Sequence, residues 1–86
     1  MYNVGLLERA IAVSEQLGYT VRQEYLGGNG GGACEFGGRK WMFVDLALSI
    51  PEQLEQVLDG LRNDPGLSAV SLPSSLRGLL GARRAA

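Results

Sequence analysis

The spacing of apolar and polar positions changes twice along this chain, and each change marks a new kind of element. From Val4 to Leu17 the apolar residues Leu6, Leu7, Ala10, Ile11 and Leu17, with Ser14, share one face at helical spacing. This predicts an amphipathic helix with Asn3 as its N-cap and Gly18 as its positive-φ end. From Thr20 the pattern shortens. Thr20 to Leu26 mixes the β-formers Val21 and Tyr25 with Arg22 and Glu24, as an edge strand with one wet face does. Ala33–Phe36 and Arg39–Val44 flank Gly37-Gly38, which predicts a two-residue hairpin turn. That register sets Phe36 against Arg39, Glu35 against Lys40 and Cys34 against Trp41. It gathers Cys34, Phe36, Trp41 and Phe43 on one face as a packed cluster and leaves Glu35 and Lys40 as an opposite-charge pair on the other. Trp41 to Val44 is apolar on both faces, which predicts a central strand covered on each side.

Helical spacing then returns. Ser49-Ile50-Pro51-Glu52 is a capping box, with Pro51 in the first turn where no amide is needed. Behind it Ile50, Leu54, Val57, Leu58 and Leu61 form an apolar stripe, with Glu52, Gln53, Glu55, Gln56 and Asp59 toward water. Asn63-Asp64-Pro65-Gly66 stops this helix. Leu67 to Leu72 is assigned a short fourth strand and Pro73 to Leu80 a last helix. The expected fold is α+β: a three-stranded antiparallel meander with helices on one face, in the order α-β-β-β-α, then a possible short β and α. Residues 1–81 form one domain and 82–86 a disordered tail.

Composition narrows the chemistry. Nine acidic and eight basic residues leave a net charge of −1, so no global field draws nucleic acid or an anionic membrane. Histidine is absent, which removes the commonest general base and the commonest zinc ligand. A single cysteine makes no internal disulfide and no thiolate cage. Met1 to Gly5 has no basic run, Glu8-Arg9 breaks the apolar stretch behind it, and no segment is long and apolar enough to cross a bilayer. The expectation is a cytoplasmic domain with no catalytic residue, no metal, no cofactor, no nucleic-acid partner and no membrane partner.

Four features remain as candidates. Gly28, Asn29, Gly30, Gly31 and Gly32, followed by Ala33, fit G-x-G-x-x-A after a strand. A dinucleotide site needs a helix N-terminus directly behind that motif, whereas here a strand and a turn follow. The loop is therefore read as a flexible connector. The alternative is an anion or nucleotide-phosphate site on its amides, with Arg39 or Lys40 as counter-charge. Cys34 has no neighbour to activate it and is read as a buried, inert thiol beside Trp41. Asp45, at the end of an apolar run, is assigned to cap the turn that follows. The acidic face of the second helix and the basic residues Arg77, Arg83 and Arg84 are of opposite sign and suit pairing between copies or with a partner.

The succession of a helix ending Leu17-Gly18-Tyr19-Thr20-Val21, a strand, a glycine loop, the hairpin Glu35-Phe36-Gly37-Gly38-Arg39, a strand ending Val44-Asp45 and a capped helix resembles the front half of the ImmA/IrrE-type zinc peptidase module, over residues 4–63. That family carries H-E-x-x-H on the helix after the hairpin. Here the helix reads Glu52-Gln53-Leu54-Glu55-Gln56, so the resemblance implies a scaffold without peptidase activity and carries over no ligand. The residues themselves point to a non-enzymatic domain acting by protein contact or as a homodimer. The alternatives are the loop ligand and the inactive peptidase-like scaffold.

Overall fold

The computed structural model describes residues 4–28 and 30–81. Its elements run α1 (Val4–Gln16), β1 (Tyr19–Glu24), β2 (Gly32–Phe36), β3 (Arg39–Asp45), α2 (Ile50–Arg62), a 3-10 turn (Pro65–Ala69) and α3 (Ser74–Gly81). The α+β class, both long helices and the hairpin agree with the sequence reading. Asn3 and the 82–86 tail lie outside the described residues. Among the described residues, no helix is long and apolar enough to cross a membrane.

The sheet departs from the expected meander. Its order is β1-β3-β2, with β2 antiparallel and β1 parallel to β3. The sheet is therefore mixed, and β3 rather than β2 is central. The double-sided apolar run Trp41-Met42-Phe43-Val44 suits that position better than Gly32-Ala33-Cys34-Glu35-Phe36, which is exposed along most of its length. Within the hairpin the expected pairs are present: Phe36 with Arg39, Glu35 with Lys40, Cys34 with Trp41. Gly37 and Gly38 both hold positive φ, +61° and +75°, as a type I′ turn requires.

All the helices gather on one face. Leu7, Ala10 and Val13 of α1, Leu54, Val57, Leu58 and Leu61 of α2, and Leu76 and Leu80 of α3 enclose Met42 and Val44. Gly60 lets α2 settle closely on the sheet. A Cβ there would lie 2.9 Å from the Met42 methyl and 3.0 Å from the Ala33 Cβ. The capping box forms in full, with Glu52 N–H donating to Ser49 Oγ at 3.3 Å and Ser49 N–H to Glu52 Oε1 at 2.9 Å. Gln53, assigned to water, is buried and donates to the Leu48 carbonyl at 2.9 Å.

The expected fourth strand is absent, because Asp64-Pro65-Gly66 commits the chain to a turn. The Asp64 carboxylate accepts the Gly66 N–H at 2.7 Å, and Pro65 occupies the first position of the 3-10 segment, which buries Leu67.

Candidate functional site

The glycine loop solves a topological problem. To pass from β1 on one edge to β2 on the other, the chain must cross the end of β3, about 10 Å over two strand spacings. Asp45, the last residue of β3, is fully buried beneath that crossing. Its carboxylate accepts the N–H groups of Leu26 at 2.9 Å, Gly28 at 2.6 Å and Ala47 at 2.9 Å. Burial alone would raise the Asp45 pKa, but these three donors outweigh it and hold the carboxyl below the usual carboxylate range. The turn-capping role assigned to Asp45 is thus present and extends to the loop. Gln56 of α2 secures the far side: its amide donates to the Gly30 carbonyl at 3.1 Å and accepts the Asp45 N–H at 2.9 Å. It stays partly in water, as the helical pattern suggested, with its amide committed to these two bonds. Gly31, at φ +114°, lies so close to that amide that a Cβ would meet it at 2.4 Å.

At the opposite end of β3 a second carboxylate is held by side chains. Lys40 Nζ lies 2.9 Å from Asp64 Oδ2 and donates to the Leu17 carbonyl at 2.8 Å, with its ammonium 4.4 Å from the centre of the Tyr19 ring. The Tyr19 hydroxyl donates to the same Asp64 oxygen at 2.7 Å. Burial first, then the hydrogen bond to Asp64 and its charge, raise the Tyr19 phenol well above its ordinary value. Burial opposes the ionised form of Asp64, but bonds from Lys40, Tyr19 and Gly66 lower its pKa overall. These groups border an open cavity of about 390 Å³ that reaches Glu35, Asn63 and Pro65. Their charges are already committed to one another. Lys40 has therefore turned from its expected partner Glu35 to Asp64.

The third region is the sheet face that, among the described residues, no helix covers. Residues alternate across β3, so Trp41 and Phe43 point away from the helices, joined by Cys34 and Phe36 of β2 and by Thr20 and Arg22 of β1. The expected aromatic cluster forms, but on this bare face. Phe36 stacks on Trp41 with ring centres 5.6 Å apart and planes 12° apart; Trp41 stacks on Phe43 at 5.9 Å and 13°. Arg39 lies 5.7 Å over the Trp41 ring. Near-parallel rings at these separations pack into one continuous row. Phe36, at the end of the row, is 61% exposed, and Trp41 Nε1 is buried without a hydrogen-bond partner. Cys34 is exposed, contrary to the buried thiol expected, because β2 is an edge strand and its side of the sheet carries no helix.

The structure does not bring the sequence-derived ligand residues together. Gly28 donates to Asp45, Gly30 accepts from Gln56, Gly31 abuts Gln56, and Gly32 opens β2. Asn29 lies outside the described residues. Arg39 and Lys40 are at the other end of β3, five or six residues and roughly 17–20 Å from Asp45. As adjacent strand residues they also point to opposite faces. The acidic side of α2 is partly used within the chain, where Arg62 reaches Glu55 at 3.6 Å and Asp59 at 4.0 Å. Arg77 donates to the Leu72 carbonyl at 3.2 Å, while Arg83 and Arg84 lie outside the described residues.

Tyr19, Gln56 and Asp64 did not stand out in the sequence. Asp64 alone carried a local sign, since Asp-Pro-Gly after a helix is a turn signature. Its bonds to Tyr19 and Lys40 span too much chain for any spacing rule. Compared with protein-family models, characterised proteins and solved structures, the chain matches none.

Proposed function

We propose that this chain works by protein contact and not by catalysis, through the helix-free face of its sheet. The observation that carries this is the row Phe36–Trp41–Phe43, stacked on an uncovered face with Phe36 mostly exposed at its end. Aromatic side chains supply large contact area at small conformational cost, and they dominate the energetics of protein interfaces. The polar groups elsewhere support the same reading. Asp45 fills the loop amides, and Lys40, Asp64 and Tyr19 satisfy one another.

The single tryptophan lies within the row and reports on it. On association, Trp41 emission is expected to shift to the blue and the sedimentation coefficient to rise, and Phe36→Arg is expected to remove both effects while leaving the fold intact. A strict monomer whose Trp41 emission ignores concentration and every added protein would sink the proposal.

A further inference from the structure

We infer that the partner is a second copy of this chain, joined edge to edge through antiparallel pairing of β2 with itself about a two-fold axis at Cys34. This assignment rests on the contact role proposed above and takes it up at the Phe36 end of the aromatic row, where that ring lies at the seam between the copies.

The two edges of the sheet differ. β1 carries the Arg22–Glu24 ion pair on the bare face, a charged guard of the kind that discourages strand addition. β2, Gly32-Ala33-Cys34-Glu35-Phe36, has no lysine, no arginine and no proline. Because Phe36 and Arg39 flank a two-residue turn, Phe36, Cys34 and Gly32 direct their backbone groups to β3, and Ala33 and Glu35 direct theirs outward. Those outward N–H and C=O groups form an unoccupied half-ladder.

Self-pairing of this edge has one favourable register. Outward residues must oppose outward residues, and only a two-fold at the middle residue, Cys34, overlaps all five positions. Ala33 then bonds Glu35 of the other copy, which keeps the two Glu35 carboxylates apart. A two-fold at Glu35 would set those like charges directly opposite. A two-fold at Ala33 would carry the pairing past the start of β2 to Gly31, whose neighbourhood is already filled by the Gln56 amide, and would leave Phe36 without an opposite residue in the strand. The Cys34 register also sets Phe36 against Gly32 of the other copy. A glycine leaves room for an aromatic ring to lie across it, a pairing known to rescue glycines at strand edges. Both aromatic rows then lie on one side of a continuous six-stranded sheet, in which Gly32 is already the neighbour of Phe43.

The full chain tests this directly. Sedimentation equilibrium over a dilution series is expected to show monomer and dimer. Glu35→Pro removes two outward N–H donors per dimer without touching the ladder to β3, and is expected to weaken association about ten- to hundredfold with the monomer's circular dichroism retained. Cys34 lies opposite itself at a closely spaced pair, so diamide is expected to cross-link the native chain rapidly. A Cys34→Ser, Ala33→Cys chain, whose thiols fall out of register beyond disulfide reach, is expected to cross-link slowly. If Glu35→Pro does not fold, the two cross-linking rates decide. Equal rates, a dimer indifferent to Glu35→Pro, or a monomer at every concentration overturns the edge pairing. Should Phe36→Arg in that event still abolish binding to a different protein, the contact role stands without the dimer; if nothing binds at all, both fall.

Discussion

The central strand of this sheet presents apolar residues to both faces, and each set is sheltered in a different way. On one, Met42 and Val44 are fully buried under α1, α2 and α3. On the other, Trp41 and Phe43 keep part of their surface in water, and they are covered by each other and by Phe36 rather than by a layer of helices. Area removed from water by a rigid layer stabilises the fold. Area removed by neighbouring rings on an open surface leaves a remainder that a partner can still cover.

Substitutions on the two faces make that contrast measurable. Leu58→Ala, beneath the covered face, is expected to cost about 2–5 kcal/mol in denaturant unfolding, a large share of what a domain of this size has. Trp41→Ala, measured at low protein concentration, is expected to cost less than a fully buried ring would, about 2–3 kcal/mol, because part of the ring stays in water. Equal losses at Leu58 and Trp41 would mean that the bare face is core after all. Ser49→Ala, remote from both faces, is expected to cost about 1 kcal/mol through the lost cap and sets the baseline for a purely local effect.

Acid and alkali probe the two ends of β3, where the faces meet the loops. Folding lowers the pKa of Asp45 and of Asp64, so the stability they confer is complete above the unfolded carboxyl value near pH 4 and drains as pH falls through the lower folded values. Folding raises Tyr19, so its contribution is complete below about pH 10 and drains as pH climbs toward the higher folded value. A plot of unfolding free energy against pH is therefore expected to fall at both extremes. Tyr19→Phe should flatten the alkaline limb and, by removing one donor to Asp64, a little of the acid limb as well; Asp45→Asn, although destabilising at neutral pH, should flatten part of the acid limb alone.

The sequence displayed what is local. The capping box at Ser49, the Gly37-Gly38 turn and the hairpin register follow from residues a few positions apart, and all are present. The double-sided run at Trp41–Val44 also identified the central strand, yet adjacency in sequence suggested a meander, which would have put β2 in the middle. Of those incompatible expectations the burial pattern was the better guide, because it reports environment while adjacency reports only chain economy. The same run misled in one respect: apolar residues on both faces do not require covering layers on both, since rings of this size shelter one another. The candidate surface was thus visible as a cluster but assigned to the interior, and Cys34 with it. Partnerships such as Tyr19 and Lys40 with Asp64 depend on the parallel placement of β1, which no short-range pattern encodes.

That placement has a consequence for the order of assembly. Among the described residues β1 pairs with β3, which is synthesised later, after the crossing loop and all of β2. As the chain leaves the ribosome, the first strand has no sheet to join until Asp45 has emerged. The hairpin, whose contacts are short in sequence, is available to form first and then to serve as the template on which the earlier segment docks.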